Sequence, residues 1–304
     1  MPAPSRRGAV VATTLALVVA ATALFVAVRR PTAFAGRLGP RDAPVPEAAP
    51  SDAVRAEATP EPPGPRLAAP ARPIRIQNST LFGWALLDRL SGQMTGSPNS
   101  GQVSNTVESM IKPWIAADHL RRLADDGRRP SSGALNELYK MIVDSNDPAA
   151  EKYFQIGGGD AVTRRLLTVC GLDRLRIKAT LWSQTEMTPQ DAARYGHCLA
   201  DGRAAGPKWT AWILDAMTKV RGGVEDQISG SVQGGRWGII DGLPRELAAE
   251  VSIKNGWTSY VDGWHVNCLA VHPEWSLVVM LRMGTLRAAA EACEDVAKVL
   301  VVNG

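Results

Sequence analysis

The chain has 304 residues, of which 45% are hydrophobic, and its formal net charge is +4. No stripe of arginine and lysine with interleaved aromatic residues occurs, so nucleic-acid binding has little support. The four cysteines form no C-x-x-C motif and no H-E-x-x-H motif is present, so the sequence predicts neither a metal site nor a cofactor.

The N-terminal region predicts a membrane segment. Residues 8–28 carry no charge and are numerous enough to cross a bilayer as a helix, and arginines flank them on both sides. The length favours an uncleaved anchor, whereas Ala33-Phe34-Ala35 is a pattern that a signal peptidase can cut. No cysteine ends the apolar run, which argues against a lipoprotein anchor. We expect residues 1–30 to be a membrane anchor or signal sequence. The protein would then cross the cell membrane once with an extracytoplasmic domain, or be secreted if cleaved.

Residues 31–72 are rich in proline, alanine, glutamate and arginine, a composition that predicts a disordered tether. Residues 73–304 contain all nine tryptophans and can form one large domain. Behind an export signal the cysteines can pair. Three connectivities are possible, and Cys170–Cys198 with Cys268–Cys293 is the most local.

Within this domain the patterning predicts a hairpin, a helical middle, three strands and a last helix. The opening helix should run from about Glu108 to Leu123, capped by Asn105 or Thr106. The other predicted elements are strands Leu81–Asp88 and Gln93–Thr95; helices Ser132–Val143, Pro148–Gln155, Asp160–Cys170, one through Ala200, and Trp209–Val220; strands Glu250–Thr258, Trp264–Val271 and Ser276–Met283; and helix Leu286–Val302. This order predicts an α+β fold in which an all-helical lobe is inserted into an antiparallel sheet flanked by helices.

Three short motifs occur in a defined order along the domain. Ser109-Met110-Ile111-Lys112 opens the first helix, and its serine and lysine share a helix face. Val143-Asp144-Ser145-Asn146-Asp147 follows the second helix, and Lys254-Asn255-Gly256 lies on the first late strand. Together they resemble the S-x-x-K, S-D-N and K-T-G motifs of the penicillin-binding protein and class A β-lactamase superfamily.

The resemblance implies a role for each matched residue. Ser109 would attack a carbonyl carbon and form an acyl-enzyme, with Lys112 as its general base. Ser145 would pass a proton to the leaving nitrogen, and Lys254 would hold a substrate carboxylate. The backbone N–H groups of Ser109 and Trp257 would form the oxyanion hole.

Two positions depart from the motifs. Asp147 stands where the family has asparagine; a carboxylate there would favour protonated Lys112 and repel an anionic substrate. Asn146 and Asp147 are alternatively a local swap in order, or Asp147 is a helix-start residue. Asn255 replaces the hydroxyl residue of K-T-G, and its amide can still donate to a carboxylate. Asp147, Asn255, Gly256 and Trp257 form the predicted substrate-binding set.

The E-x-x-L-N loop of class A β-lactamases has no counterpart in the sequence. Glu186 lies in a comparable place, although a surface charge is the preferred interpretation, and Glu108 is interpreted as a first-turn helix charge. Two hypotheses follow. The protein is either a serine hydrolase or acyltransferase acting on β-lactams or peptidoglycan peptides, or a catalytically degenerate module that binds muropeptides or a protein partner.

Overall fold

The computed structural model describes residues 64–231 and 234–302. The apolar run of residues 8–28 and the tether up to residue 63 lie outside the described residues, so the anchor stays a prediction. Within the described ranges, no helix combines the length and apolar character that a membrane crossing needs.

An antiparallel sheet forms the centre of the fold. Its strands are β2 (Ser79–Asp88), β3 (Met94–Gly96), β6 (Ser252–Ile253), β7 (Gly256–Tyr260), β8 (Gly263–Val271) and β9 (Trp275–Met283). The order is β3-β2-β9-β8, and both β6 and β7 pair with the free edge of β8. The first hairpin therefore adds to strands from the far end of the chain, as predicted for a sheet interrupted by a helical insertion.

Helices occupy the middle and the end of the described chain. Their bounds are α1 Lys112–Asp125, α2 Ser132–Val143, α3 Asp147–Ile156, α4 Asp160–Cys170, α5 Pro189–Ala200, α6 Thr210–Thr218, α7 Val224–Ser229, α8 Arg245–Ala249 and α9 Leu286–Leu300. Polar caps explain several starts, because Ser131, Asn146, Thr188 and Thr285 each accept a hydrogen bond from a first-turn backbone N–H.

Helices α5 and α9 cover opposite faces of the sheet. Gly196 of α5 lies against Leu269 and Val271 of β8, whereas Cys293 of α9 is bonded to Cys268. Side chains alternate between faces along a strand, so residues 268 and 269 point in opposite directions. The predicted α+β fold, an antiparallel sheet flanked by helices with an inserted helical lobe, is confirmed.

Both disulfides have the most local connectivity. Cys170 pairs with Cys198, joining α4 to α5, and Cys268 pairs with Cys293, joining β8 to α9. This is the most local of the three connectivities that the sequence left open.

Several element boundaries differ from the prediction. The opening helix begins as a 3-10 turn, Glu108–Ile111, before α1, and neither Asn105 nor Thr106 caps it. Those two residues form strand β4, which pairs with β5 (Glu186–Met187), and the Asn105 amide donates to Asn267 Oδ1. Tertiary hydrogen bonds thus engage the residues that the local pattern marked as caps.

The predicted strand Glu250–Thr258 is interrupted. It begins at Ser252 and breaks at Lys254-Asn255, yet β6 and β7 keep one continuous register against β8. Near the limits of the described residues, β1 (Arg66–Leu67) pairs with β10 (Val301–Val302), so regular structure is present before residue 73, and the last helix stops at Leu300. Backbone pairing with the end of the chain holds this part of the predicted tether.

Candidate functional site

Ser109 lies in the 3-10 turn that precedes the central helix. Lys112 through Asp118 of α1 are buried, so this turn is fixed at the edge of the core. Tyr195 braces it, because its hydroxyl donates to Met110 O at 3.1 Å and accepts from Trp114 N at 3.2 Å. Ser109 itself is only half-buried. Backbone N–H groups at the start of a helix have no intrahelical acceptor, so that of Ser109 can bind an oxyanion.

Lys112 is fully buried and its ammonium meets three acceptors. Nζ donates to Ser145 O at 2.5 Å, to Ser145 Oγ at 3.0 Å and to Asp147 Oδ1 at 2.6 Å. Burial lowers the pKa of Lys112, whereas Asp147 and Glu108 act to raise it. The opposing effects leave the pKa below that of an ordinary lysine, and a lysine that donates three hydrogen bonds must release one of these protons before it can act as a general base.

Lys254 is also fully buried and reaches the same serine. Its Nζ lies 3.1 Å from Ser145 Oγ, 3.2 Å from Gly234 O and 3.3 Å from Asn255 O. Burial and the neighbouring Lys112 hold its pKa well below the usual value. The Ser145 hydroxyl therefore bridges two lysines whose charged forms are both disfavoured by burial, an arrangement that can relay a proton.

Strained backbone positions Ser145 and the residue before Ser109. Ser145 has φ +54° and Glu108 has φ +50°, a left-handed conformation that non-glycine residues rarely adopt. Each costs about 1–3 kcal/mol, and such strain is concentrated at functional sites. Here it directs the Ser145 side chain to the two lysines.

Asp147 and Asn146 have separate roles. The Asn146 side chain accepts a hydrogen bond from Ala149 N at 2.9 Å and caps α3. Asp147, at the first turn of α3, instead forms the ion pair with Lys112, although 69% of its side chain is exposed. The alternative in which the two residues exchange roles therefore does not fit: the carboxylate occupies the place beside the lysine.

Asn255 does not have a free donor for substrate. It is 1% exposed, and its amide gives its two hydrogens to Gly235 O at 2.9 Å and Trp237 O at 2.7 Å. The prediction that this amide donates to a substrate carboxylate does not fit this geometry. Asn255 instead fastens the chain around Gly235 to the edge of the sheet.

Gly256 permits a close approach between β7 and the Ser109 turn. A Cβ atom at this position would lie 2.4 Å from Val107 O and 2.7 Å from Met110 N, closer than any side chain tolerates. The following residue, Trp257, thereby carries its backbone N–H along the same edge. The Trp257 indole packs on Gly235 and forms an edge-to-face contact with Trp237.

Two site residues were not identified from the sequence. Trp182 places its ring 5.4 Å from Lys112 Nζ, and its indole N–H donates to Glu151 Oε2. Glu108 lies in the first turn of the 3-10 segment, as interpreted from the sequence, and it is buried: its carboxylate accepts hydrogen bonds from Thr258 and Tyr260. Trp182 gave no sequence signal. The position of Glu108 directly before Ser109 is a signal for the second residue.

Glu186 contacts partners outside the three motifs. Ser104 Oγ donates to its carboxylate at 2.7 Å, and Arg176 Nη1 lies 3.7 Å away. Neither partner belongs to the three motifs, which accords with the preferred interpretation of Glu186 as a surface charge.

A cleft of about 500 Å³ opens beside Ser145, and its lining does not include Ser109, Lys112 or Lys254. The α2–α3 turn, including Asp144 and Asp147, forms one wall, and Arg221 with Ser231 contributes to the other. Arg221 Nε donates to Asp144 Oδ1 at 2.6 Å across the opening. The volume is within the range of small-molecule sites.

Comparison with solved structures identifies the architecture. A class A β-lactamase from Mycobacterium abscessus superposes with a TM-score of 0.56 at 13% identity, covering 73% of this chain and 93% of that one. The ancestral class A β-lactamase of Gram-negative bacteria gives a TM-score of 0.55 at 17% identity, covering 73% and 94%. The chain has the serine β-lactamase fold. At such identities the likeness concerns the fold alone.

Sequence comparison gives a distant relative. The "Putative lipoprotein LppW" of Mycobacterium tuberculosis is 29% identical over 200 residues, which are 65% of this chain and 61% of the relative. The same protein of Mycobacterium bovis matches equally. No protein-family model matches the chain. The comparisons therefore support the β-lactamase fold, and the role of the site depends on its own geometry.

Proposed function

We propose that the protein is an envelope-facing serine acyl-transfer enzyme that forms an acyl-enzyme on Ser109, with β-lactams or peptidoglycan peptides as substrates. The observation that supports this most is the meeting of Lys112 and Lys254, both fully buried, at the Ser145 hydroxyl. Removing two ammonium groups from water is expensive, and apolar residues would serve a purely structural role better. Clustered buried groups with lowered pKa values are typical of catalytic sites.

The proposed chemistry uses these contacts together with a proton transfer from Ser109 to Lys112, two side chains that no hydrogen bond joins among the described residues. Neutral Lys112 accepts the Ser109 hydroxyl proton as Oγ attacks the carbonyl carbon. The developing oxyanion binds the N–H groups of Ser109 and Trp257. Ser145 then delivers its hydroxyl proton to the leaving nitrogen as the carbon–nitrogen bond breaks, and it receives in exchange the proton that Lys112 took from Ser109. The acyl group remains on Ser109 Oγ.

Slow deacylation is part of the proposal. Hydrolysis of the acyl-enzyme needs a base that activates water, and Glu186 is engaged by Ser104 and Arg176. The Trp182 ring and the Asp147 carboxylate occupy the surroundings of Lys112. An acceptor other than water, or a long-lived acyl-enzyme, suits this arrangement better than rapid β-lactam hydrolysis.

The test is the intact mass of the full-length protein after incubation with a reactive penicillin. We expect an increase equal to the mass of the penicillin, and no increase in Ser109→Ala. Hydrolysed penicillin without an adduct would indicate a β-lactamase with another water-activating group. The absence of both would contradict acyl transfer with this probe.

A binding module is the second candidate, and the Lys112–Asp147 ion pair favours it. An ion pair at 2.6 Å stabilises the protonated lysine, which cannot act as a base. In this case muropeptides would bind beside Ser145 without covalent change. Calorimetric binding that is equal in the parent and in Ser109→Ala, with no adduct in either, would support this candidate.

The cellular location is proposed from two observations. The apolar run of residues 8–28 has the length of a membrane anchor, and the mycobacterial relative is named a lipoprotein. Both suit a protein attached to the cell envelope, although this chain has no cysteine after the run for a lipid. Membrane fractionation with and without residues 1–30 tests the attachment.

A further inference from the structure

A hydrogen bond joins the two chain segments that carry the proposed oxyanion hole. Glu108 immediately precedes Ser109, and Thr258 immediately follows Trp257. Thr258 Oγ1 donates to Glu108 Oε2 at 2.7 Å. The bond therefore links the direct neighbours of the two residues whose N–H groups would bind the oxyanion.

The second carboxylate oxygen of Glu108 is held as well. Tyr260 donates its hydroxyl to Oε1 at 3.0 Å, and burial together with Glu108 raises the pKa of Tyr260 to about 12, so the phenol remains a donor. Thr258 and Tyr260 are alternate residues of β7 and lie on one face of the strand. One carboxylate thus fastens two successive positions of β7 to the turn before Ser109.

The packing around Glu108 restricts the movement of β7 relative to the turn that carries Ser109. Gly256, at the start of β7, is in contact with Val107 and Met110 on either side of Ser109, and Glu108 has φ +50°. Contact at Gly256 sets how closely β7 can approach, and the Glu108 bonds oppose its separation. The Thr258 hydroxyl has a second acceptor within reach, because Trp257 O also lies 2.7 Å from Thr258 Oγ1. The Glu108 carboxylate is the stronger of the two acceptors.

Glu108 is also expensive as a purely structural residue. It is 3% exposed, and among the ion pairs of the described residues none includes it. Glu108 interacts electrostatically with Lys112 but forms no ion pair with it, and a buried carboxylate without a direct ion pair carries a desolvation penalty that an apolar side chain would avoid. A role in positioning the adjacent Ser109 would explain why a residue with this penalty is present.

We infer that Glu108 is a positioning residue: through Thr258 and Tyr260 it fixes the separation between the Ser109 and Trp257 N–H groups. This inference rests on the proposed acyl transfer at Ser109. The oxyanion hole acts through donors placed within a few tenths of an ångström, so loss of the clamp should slow the chemical step and leave the initial binding of substrate largely intact.

The test compares Thr258→Val with Thr258→Ser in the full-length protein. Valine has the shape of threonine and removes the donor, whereas serine keeps the hydroxyl. With a chromogenic penicillin, we expect the maximal acylation rate constant to fall ~10–100-fold in Thr258→Val, with a small change in the half-saturating concentration. Thr258→Ser should stay close to the parent.

Glu108→Gln provides an independent variant. The amide oxygen can accept one of the two hydrogen bonds but the NH₂ group can accept neither, so its acylation rate should lie between those of the parent and Thr258→Val. Equal acylation in the parent and Thr258→Val, or an equal loss in the valine and serine variants, would overturn the inference.

Hydrogen exchange of residues 256–260 separates the clamp from the proposed function, since it needs no turnover. We expect faster exchange in Thr258→Val than in Thr258→Ser at equal global stability. If penicillin does not acylate the parent but exchange differs in this way, the acyl-transfer proposal fails while the clamp stands. Equal exchange in the two variants would refute the clamp, whether or not acylation occurs.

Discussion

Replacing Asp147 by asparagine tests how the ion pair controls the protonation of Lys112. Asp147 Oδ1 lies 2.6 Å from Lys112 Nζ, and its carboxylate raises the pKa that burial lowers. Two unit charges at this distance attract by about 1.6 kcal/mol even at the dielectric constant of water, which corresponds to about a tenfold change in an equilibrium constant. Because Asp147 is 69% exposed, the water value is the appropriate one.

The sign of the expected effect follows from the role of neutral Lys112. The substitution removes the carboxylate, so the pKa of Lys112 falls further and the neutral fraction at a pH below that pKa rises. Acylation by a chromogenic penicillin, measured from pH 5 to 10, should therefore show its acidic limb moved to lower pH. In that limb we expect an increase of up to about tenfold in rate, since each 1.4 kcal/mol is a factor of ten.

Asp144→Asn is the matched control. It removes a carboxylate from the same turn, but Asp144 is paired with Arg221 and not with the lysine. Its acidic limb should coincide with that of the parent. An asparagine at 147 can also hold substrate, which would change the plateau at high pH but not the position of the limb. A limb that stays in place, or moves to higher pH, in Asp147→Asn would refute the assignment of Lys112 as the base.

Three further outcomes are expected. Gly256→Ala should slow acylation strongly and lower the free energy of unfolding by about 1–3 kcal/mol, because its Cβ would lie 2.4 Å from Val107 O; acylation at the parent rate would contradict this close approach. Replacing Cys268 and Cys293 by alanine should lower the free energy of unfolding by about 3 kcal/mol in urea titrations, since the bond closes a loop between residues 25 positions apart; no change would show that the loop entropy is unimportant. The free energy of unfolding should fall as the pH is lowered from about 7 to 5. Burial lowers the pKa of four histidines, so the unfolded chain binds protons at these residues more readily than the folded protein does. Greater stability at about pH 5 than at about pH 7 would contradict this sign. These histidines are His119, His197, His265 and His272.

The local pattern located most helices because their signals are short-range. Pro189 after Thr188 and the apolar spacing of Ser132–Val143 predicted α5 and α2 within a residue or two. The strand Glu250–Thr258 was only partly correct, since its interruption at Lys254-Asn255 accompanies polar contacts made by both side chains. Such contacts come from remote segments, which no local pattern contains.

The candidate site shows the same division. The motifs predicted that Ser145 and Lys254 lie near Lys112, and both lysines contact the Ser145 hydroxyl. This prediction was possible because helix geometry and strand register relate separation along the chain to separation in space. The contribution of Asn255 was assigned wrongly, since its amide is used by Gly235 and Trp237. The sequence alone does not show which acceptors this amide contacts.

By itself the sequence determined the α+β order and the three motifs, because these depend on residue type and separation along the chain, whereas it left three disulfide connectivities open. The tertiary structure decided which groups face each other: Asp147 contacts Lys112, Trp182 lies over the same ammonium, and Glu108 lies between the turn that carries Ser109 and β7. Those contacts depend on how the helical lobe and the sheet edge meet. Burial there sets the pKa of each lysine, and burial is a property of the packed chain.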